Sequence, residues 1–138
     1  IIGGLEASLR RFAHYDYWAD NIRRSILVDS RADILTYGMG ENIILRIANL
    51  LDRGIPVKKI RDVRGTVYLC SPEDKIHYLV AASFDYNELK TNKRKYAEAF
   101  GIQYKNQDSI NGKAVCELYD GKLLVQKGKK TFHNVILG

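Results

Sequence analysis

The spacing of apolar residues predicts how the chain begins. The β-branched pair Ile1-Ile2 is typical of a strand, which the flexible pair Gly3-Gly4 would end. Leu5, Leu9 and Phe12 then recur at helical spacing and predict a short helix. We therefore expect a strand that enters a helix through a glycine turn.

A second apolar stripe predicts another helix a few residues later. Trp18, Ile22 and Ile26 are separated by four residues each, which places them on one helical face. Asp20 precedes Arg24 by the same interval, and such a pair adds modest stability to a helix.

The clearest strand and helix of the chain come next. Residues 32–37 predict a short buried strand, and residues 38–41 form the turn that follows it. The helix extends from Glu41 to about Asp52, where Gly54 would end it and Pro56 would prevent its continuation. Strand, helix, strand and helix in this order favour a parallel sheet covered by helices.

The second half of the chain carries shorter strand signals around one long helix. Residues 65–70 and 76–81 predict strands on either side of a turn at residues 71–74. Asp85 and Glu88 have the spacing of a capping box and predict a helix to about residue 104. Asp120-Gly121 between two apolar runs predicts a β-hairpin.

These elements predict an α/β protein in two parts. Residues 1–57 read as the second half of a Rossmann-like parallel sheet. Residues 58–138 read as a small α+β segment with a C-terminal hairpin. Because the chain opens inside an apparent strand and without Met, we expect residue 1 to be a cut inside a larger protein.

Composition narrows the class of protein. Hydrophobic residues make up 46% and charged residues 28% of the 138 residues, which excludes a wholly disordered chain, a collagen or a coiled coil. No apolar run approaches the ~18–20 residues of a membrane span. Two cysteines cannot form a disulfide scaffold, and we expect a cytoplasmic location.

The net charge of +6 is carried by different cations in the two halves. Residues 1–70 hold nine arginines and two lysines, whereas residues 71–138 hold one arginine and ten lysines. Arginine presents a rigid fork that matches phosphate and carboxylate. The first half is therefore the better candidate for anion recognition, with an ordinary solvated basic surface as the alternative.

Two glycine turns are candidates for a cofactor edge. Gly3 and Gly4 follow one predicted strand, and Gly38, Gly40 and Glu41 follow the next. Ligands of doubly wound sheets lie beyond the carboxyl ends of the strands, where both turns would meet. The third glycine of a dinucleotide motif is absent, and a purely structural pair of tight turns remains the alternative.

A dense polar and aromatic cluster at residues 10–18 is the candidate surface for a substrate or partner. It holds two cations, a titratable histidine, a carboxylate and aromatic rings, and the residues singled out are Arg10, Arg11, His14, Asp16 and Trp18. His14 and Asp16 would share a side only in an extended segment. Packing of the rings, with Asp16 paired to an arginine, is the structural alternative.

No complete catalytic or metal constellation appears in the sequence. The three histidines lack metal-ligand spacing, and Cys70 and Cys116 form no Cys-x-x-Cys pair. We therefore predict no metal site within the chain.

The first 66 residues resemble the YgiQ-type family of uncharacterised radical SAM proteins. The likeness rests on residues 1–18, 22–27, 32–35 and 37–41, and it appears again, more loosely, at residues 60–66. A glycine turn followed by a Gly-x-Gly-Glu stretch is also similar to the end of the cobalamin-binding-type domain that precedes many radical SAM barrels. Residues around 96–100 resemble the family more loosely.

The resemblance implies a parent enzyme with a 4Fe–4S cluster that cleaves S-adenosylmethionine to start radical chemistry. The cluster cysteines would lie downstream of this chain, and no cofactor is expected within it. The resemblance implies a cofactor-binding edge, and the residues of this chain that match it are Gly3, Gly4, Gly38, Gly40 and Glu41. The cobalamin-ligating histidine of related domains would lie upstream, so the resemblance does not assign cobalamin to these residues.

We accordingly expect an accessory piece of a radical SAM enzyme that is not catalytic alone. Its partner would be the remainder of the parent chain, and an exposed sheet edge offers self-association as a further possibility. A non-enzymatic anion- or nucleic-acid-binding module is the alternative. No membrane partner is expected.

Overall fold

The structure is a computed structural model that describes residues 1–71, 80–105, 114–119 and 122–127. The helices are α1 Leu5–Leu9, α2 Ile26–Ser30, α3 Glu41–Asp52, α4 Tyr86–Thr91 and α5 Lys93–Lys105, with a 3₁₀ turn at Val57–Lys59. The strands are β1 His14–Asp16, β2 Asn21–Arg23, β3 Ile34–Thr36, β4 Thr66–Cys70, β5 Val80–Asp85, β6 Ala114–Tyr119 and β7 Lys122–Lys127. The chain is therefore a mixed α/β protein.

The main sheet is mixed and has the strand order β3-β4-β7-β6-β5. Between the described strands of this sheet, β5 and β6 pair in parallel and the other three pairings are antiparallel. Ile2 adds one parallel bridge to Leu35 at the outer side of β3. The Rossmann-like parallel sheet that the sequence predicted is thus not shown by the described residues.

The direction of β4 explains the difference between prediction and structure. After α3, residues 53–65 lead back to the end of β3, where the Tyr37 N–H donates to the Gly65 carbonyl at 3.0 Å. Gly65 adopts a φ of 79°, which suits a residue without a side chain. The chain then enters β4 beside the end of β3, so the two strands run antiparallel.

The helix predicted around Trp18 is wrong, because residues 14–23 form the β1–β2 hairpin. Asp16 accepts hydrogen bonds from the N–H groups of Trp18 and Ala19, which closes a turn at the end of β1. Asp20 has a left-handed φ of 49°, which a helix does not allow. Helix α2 begins only after Ser25, whose side chain accepts from the Leu27 N–H.

Helix α3 has the bounds that the sequence predicts. Gly54 adopts a φ of 81°, and its N–H donates to the Leu51 carbonyl at 2.9 Å. The N–H of Ile55 donates to the Leu50 carbonyl at 3.1 Å, which completes a Schellman motif. The prediction that Gly54 ends this helix is confirmed.

The long helix predicted after Asp85 is two helices. Asp85 caps α4 by accepting from the Asn87 N–H at 2.9 Å. Asn92 has extended backbone and its side chain accepts from the N–H groups of Arg94 and Lys95, so it starts α5 anew.

The C-terminal hairpin is confirmed by the antiparallel pairing of β6 with β7, which sets Tyr119 opposite Lys122. The turn residues Asp120 and Gly121 lie outside the described residues, as do residues 72–79, where a turn and most of a strand were predicted. One sheet contains strands from both sides of the predicted division at residue 57, and that division itself stays a prediction.

Among the described residues, apolar clusters pack these elements together, and three of them matter for the site. The first joins α1, α2 and the centre of the sheet, and its most buried members are Leu27, Leu35, Tyr37, Val67 and Leu124. The second packs α3 against Ile34, Ile60 and Val63. The third seats α4 and α5 on the β1–β2 hairpin through Ala13, Leu89 and Ala99.

Candidate functional site

The structure brings the two predicted glycine turns together. The Ser8 hydroxyl donates to the Gly4 carbonyl at 2.8 Å and accepts from the Gly38 N–H at 3.1 Å. Ser8 of α1 therefore ties the turn after Ile2 to the turn after β3. The prediction that both turns meet at one edge agrees with this geometry.

The glycines of this edge have local structural reasons. A Cβ on Gly3 would collide with the Thr36 hydroxyl of β3, so the absence of a side chain permits close approach of the two segments. Gly4 has a φ of 95°, in the left-handed region that favours glycine. These contacts explain Gly3 and Gly4 without a ligand, and their role toward a cofactor stays a prediction.

Gly40 and Glu41 lie at the start of α3. The Gly40 carbonyl accepts from the Ile44 N–H at 2.9 Å, and Glu41 is the acidic residue of the first turn. A carboxylate favours the positive end of the helix dipole, and it also disfavours a phosphate there. The dinucleotide interpretation of this turn gains no support from the structure.

The structure separates Arg10 from Arg11, although the sequence grouped them as surface candidates. Arg10 is exposed and pairs with Glu6 at 2.9 Å. Arg11 is only 4% exposed, so its assignment to a surface was wrong. Its guanidinium donates to the Ser8 carbonyl and lies 5.0 Å from the centre of the Tyr37 ring.

His14 and Asp16 lie in an extended strand and therefore share a side of β1. The His14 Nδ1 lies 3.1 Å from the Phe12 carbonyl oxygen. Asp16 forms an ion pair with Arg23 across the hairpin. This pairing is the one that the structural alternative in the sequence analysis predicted for Asp16. The turn N–H groups and Arg23 lower the pKa of Asp16 below its usual 3.8.

The titration of His14 predicts a pH dependence of stability. Burial, with a smaller contribution from Arg10, lowers the pKa of His14 below its usual 6.5, so the folded state favours the neutral ring. The unfolded chain then binds the proton more readily, and stability should fall as the pH drops below 6.5. Urea unfolding of the wild type and of His14→Gln over this range measures the effect, and the variant should show a flatter profile. An identical pH profile for both proteins would contradict the assignment.

Trp18 is the most exposed of the predicted surface residues. It lies in the β1–β2 loop with 93% of its surface accessible, and its ring meets Tyr17 edge-on at 6.1 Å. Tyr17 is 79% exposed as well. The structure therefore keeps Trp18 as a candidate for contact with a partner.

A second group of exposed apolar side chains lies at the edge where the two glycine turns meet. The sequence patterns did not predict this group. Leu5 and Leu9 of α1 are 78% and 66% exposed, and Met39 between the two glycines of the second turn is 80% exposed. Helical spacing placed Leu5 and Leu9 on one face of a short helix, and the structure exposes both, while Ala7 is the buried residue of α1. We call Leu5, Leu9 and Met39 the exposed apolar face.

Within the described ranges, no three His, Cys, Asp or Glu side chains come close enough to hold a metal ion. None of the helices in this part of the chain combines the length and apolar character needed to cross a bilayer.

The described residues form a mixed α/β unit built around a five-stranded sheet. Residues 1–135 match the family profile described as radical SAM N-terminal, and the chain belongs to that family. A "UPF0313 protein" of Clostridium botulinum (strain ATCC 19397 / Type A) is 51% identical over 127 residues, covering 91% of this chain and 19% of that protein.

A "UPF0313 protein" of Clostridium perfringens (strain 13 / Type A) is 48% identical, again over 91% of this chain and 19% of its own length. This chain thus spans about a fifth of the curated relatives it matches. No solved structure matches it significantly.

Proposed function

We propose that the chain is the accessory N-terminal unit of a YgiQ-type radical SAM enzyme and is not catalytic alone. The proposal is supported by the family match over residues 1–135. It is also supported by the length of the relatives, which are about five times as long as the region they share with this chain. The parent enzyme would hold a 4Fe–4S cluster and S-adenosylmethionine outside this chain. Its substrate stays open.

The donor set of the chain does not fit an iron–sulfur cluster. Such clusters are held by cysteine thiolates, usually several of them close together. The chain has two cysteines, and Cys70 is buried in β4. The radical chemistry would therefore depend on ligands supplied by the rest of the parent chain, and we assign no catalytic step to this unit.

The role proposed for this chain is to dock on the remainder of the parent. Leu5 and Leu9 lie one helical turn apart on α1, and Met39 is also exposed, in the turn to which Ser8 is hydrogen-bonded. A group of exposed apolar side chains is typical of an interaction surface, and Trp18 is a separate exposed ring in the β1–β2 loop. The Ser8 hydrogen bond to Gly38 fixes α1 and the Met39 turn relative to each other, so the face is preformed. A preformed apolar face suits a lasting contact within one protein.

Hydrogen exchange tests this docking role. In the protein expressed from the complete open reading frame, we expect amides of α1 and the turn around Met39 to exchange more slowly than in the chain alone, because the parent would cover them. The variant Leu9→Glu should reverse this protection without unfolding the chain, since Leu9 is already 66% exposed. Equal exchange rates in the chain and the complete protein would contradict docking through this face.

A non-enzymatic anion- or nucleic-acid-binding module is the second candidate, and it rests on the arginines of the first half. Several of these are engaged within the protein, since Arg10, Arg23 and Arg24 pair with carboxylates and Arg11 is buried. Binding to duplex DNA through phosphates would weaken with salt by a log–log slope near −0.9 for each contacted phosphate. Absence of binding at low salt would exclude this candidate.

A further inference from the structure

A pocket lies where the β1–β2 hairpin meets helices α4 and α5. Its volume is about 440 Å³, within the ~300–1,000 Å³ that small-ligand sites usually occupy. Tyrosines, lysines, polar groups and two aliphatic side chains surround it: Tyr15, Asp20, Asn21, Ile22, Leu89, Lys90, Lys93 and Tyr96. We call it the hairpin–helix pocket.

Hydrogen bonds between the two sides hold the hairpin–helix pocket in shape. The Tyr15 N–H donates to the Tyr96 hydroxyl at 3.0 Å, which joins β1 to α5. The Tyr86 hydroxyl donates to the Ile22 carbonyl at 3.1 Å, which joins α4 to β2. Leu89 is 3% exposed and belongs to the apolar cluster that packs α4 and α5 against the hairpin. A preorganised site of this kind loses little entropy when a ligand enters.

The charges of the pocket favour an anionic ligand. Lys90 and Lys93 line it on the helical side, and neither forms an ion pair with another residue of the described ranges. Lys95, outside the pocket, lies 3.9 Å from Glu88. Two ammonium groups beside one cavity attract an anion, and lysine is a common phosphate ligand.

Asp20 adds a carboxylate acceptor on the hairpin side. Its φ of 49° lies in the left-handed region, which Asp adopts more readily than most residues and which places Asp20 at the end of the hairpin turn. The Tyr15 hydroxyl donates to the Asp20 carboxylate. A carboxylate has several acceptor positions, so Asp20 can also accept from a hydroxyl or amino group of a ligand.

We propose that the hairpin–helix pocket binds a nucleoside monophosphate or a close analogue. Lys90 and Lys93 would hold the phosphate, Asp20 would accept from the sugar hydroxyls, and the rings of Tyr15 and Tyr96 would contact the base. A larger cavity of about 510 Å³ shares Asn21, Ile22 and Lys90 with the pocket, so a phosphate at Lys90 also has space beside it. This proposal does not depend on the radical SAM assignment.

Equilibrium dialysis with guanosine and uridine monophosphates tests the pocket in the protein expressed from the complete open reading frame. At least one nucleotide should bind, and its nucleoside without phosphate should bind about tenfold more weakly or worse, because charge-assisted contacts would be lost. The double variant Lys90→Gln/Lys93→Gln should weaken nucleotide binding to a similar extent. Lys59→Gln, in the 3₁₀ turn away from the pocket, is the matched control and should bind as the wild type does.

Two results would overturn the proposal. One is the absence of binding at millimolar nucleotide by a wild-type protein whose circular dichroism shows it folded. The other is nucleotide binding that survives Lys90→Gln/Lys93→Gln, which would place the site elsewhere. The variant Tyr15→Ala tests the contact with the base. It should weaken binding of the nucleotide and leave binding of inorganic phosphate unchanged. Binding of an acidic peptide by a protein that binds no nucleotide is an instance of the first result and rejects a nucleotide site.

Discussion

Leu35→Ala is expected to lower the free energy of unfolding by about 2–5 kcal/mol, the usual range for a buried leucine. Leu35 is 0% exposed and lies between two neighbours in the sheet, with Ile2 bridged on one side and Val67 paired on the other. Alanine would leave a cavity in the first apolar cluster, which joins α1 and α2 to the sheet. A small domain has only about 5–15 kcal/mol of stability, so this loss would be a large fraction.

Leu45→Ala is the matched control for Leu35. Leu45 of α3 is 63% exposed, and the same change there should alter stability by no more than about 0.5 kcal/mol. Urea unfolding monitored by circular dichroism measures both variants against the wild type. A loss below about 1 kcal/mol at Leu35 would contradict its position at the centre of the core.

Arg11→Ala is expected to be the second large effect, a loss of about 2–3 kcal/mol of unfolding free energy. The substitution removes the hydrogen bond to the Ser8 carbonyl and the contact of the guanidinium with Tyr37. Burial lowers the pKa of Arg11, while Tyr37 acts in the opposite direction. The side chain is therefore a part of the core, and its removal should act on stability.

The adjacent Arg10 supplies the control for Arg11. Arg10→Ala breaks an exposed pair with Glu6, and such surface pairs contribute about 0–1 kcal/mol. Arg11→Lys should also be less stable than the wild type, since lysine lacks the planar guanidinium group that contacts the Tyr37 ring. Unfolding curves that show equal losses for Arg10→Ala and Arg11→Ala would contradict the burial of Arg11.

Local signals predicted the elements whose ends are fixed by nearby residues. Helix α3 ends where Gly54 adopts a positive φ, and β6 pairs with β7 on either side of the sequence Asp120-Gly121, so both could be predicted from short stretches of sequence. The β1–β2 hairpin could not. Its turn depends on Asp16 capping two N–H groups and on Asp20 adopting a left-handed conformation, which override the helical spacing of Trp18, Ile22 and Ile26.

The sequence predicted where the glycine turns lie better than it predicted which side chains are exposed, and the role of the candidate site stays a prediction. Residue type identified the glycine turns, and the structure places them together through Ser8. Adjacent arginines look alike in a sequence, yet tertiary packing buries Arg11 and leaves Arg10 exposed. The hairpin–helix pocket is formed by residues distant in the chain, such as Tyr15 and Tyr96. A local sequence motif therefore could not predict it.

Strand direction was the main error of the sequence prediction. Alternation of strands and helices favours parallel pairing, but the direction of β4 depends on where residues 53–65 return the chain. Where that path reaches β3, the Tyr37 N–H donates to the Gly65 carbonyl, and these two residues lie far apart in sequence. Such a long-range contact leaves no periodic signal.

Iron content and S-adenosylmethionine cleavage, measured side by side on two proteins, test the central claim most directly. The protein from the complete open reading frame, reconstituted anaerobically with iron and sulfide, should hold a 4Fe–4S cluster and cleave S-adenosylmethionine when reduced. The chain of residues 1–138, treated identically, should do neither. A cluster bound by the chain itself, or a complete protein that binds none, would contradict the account.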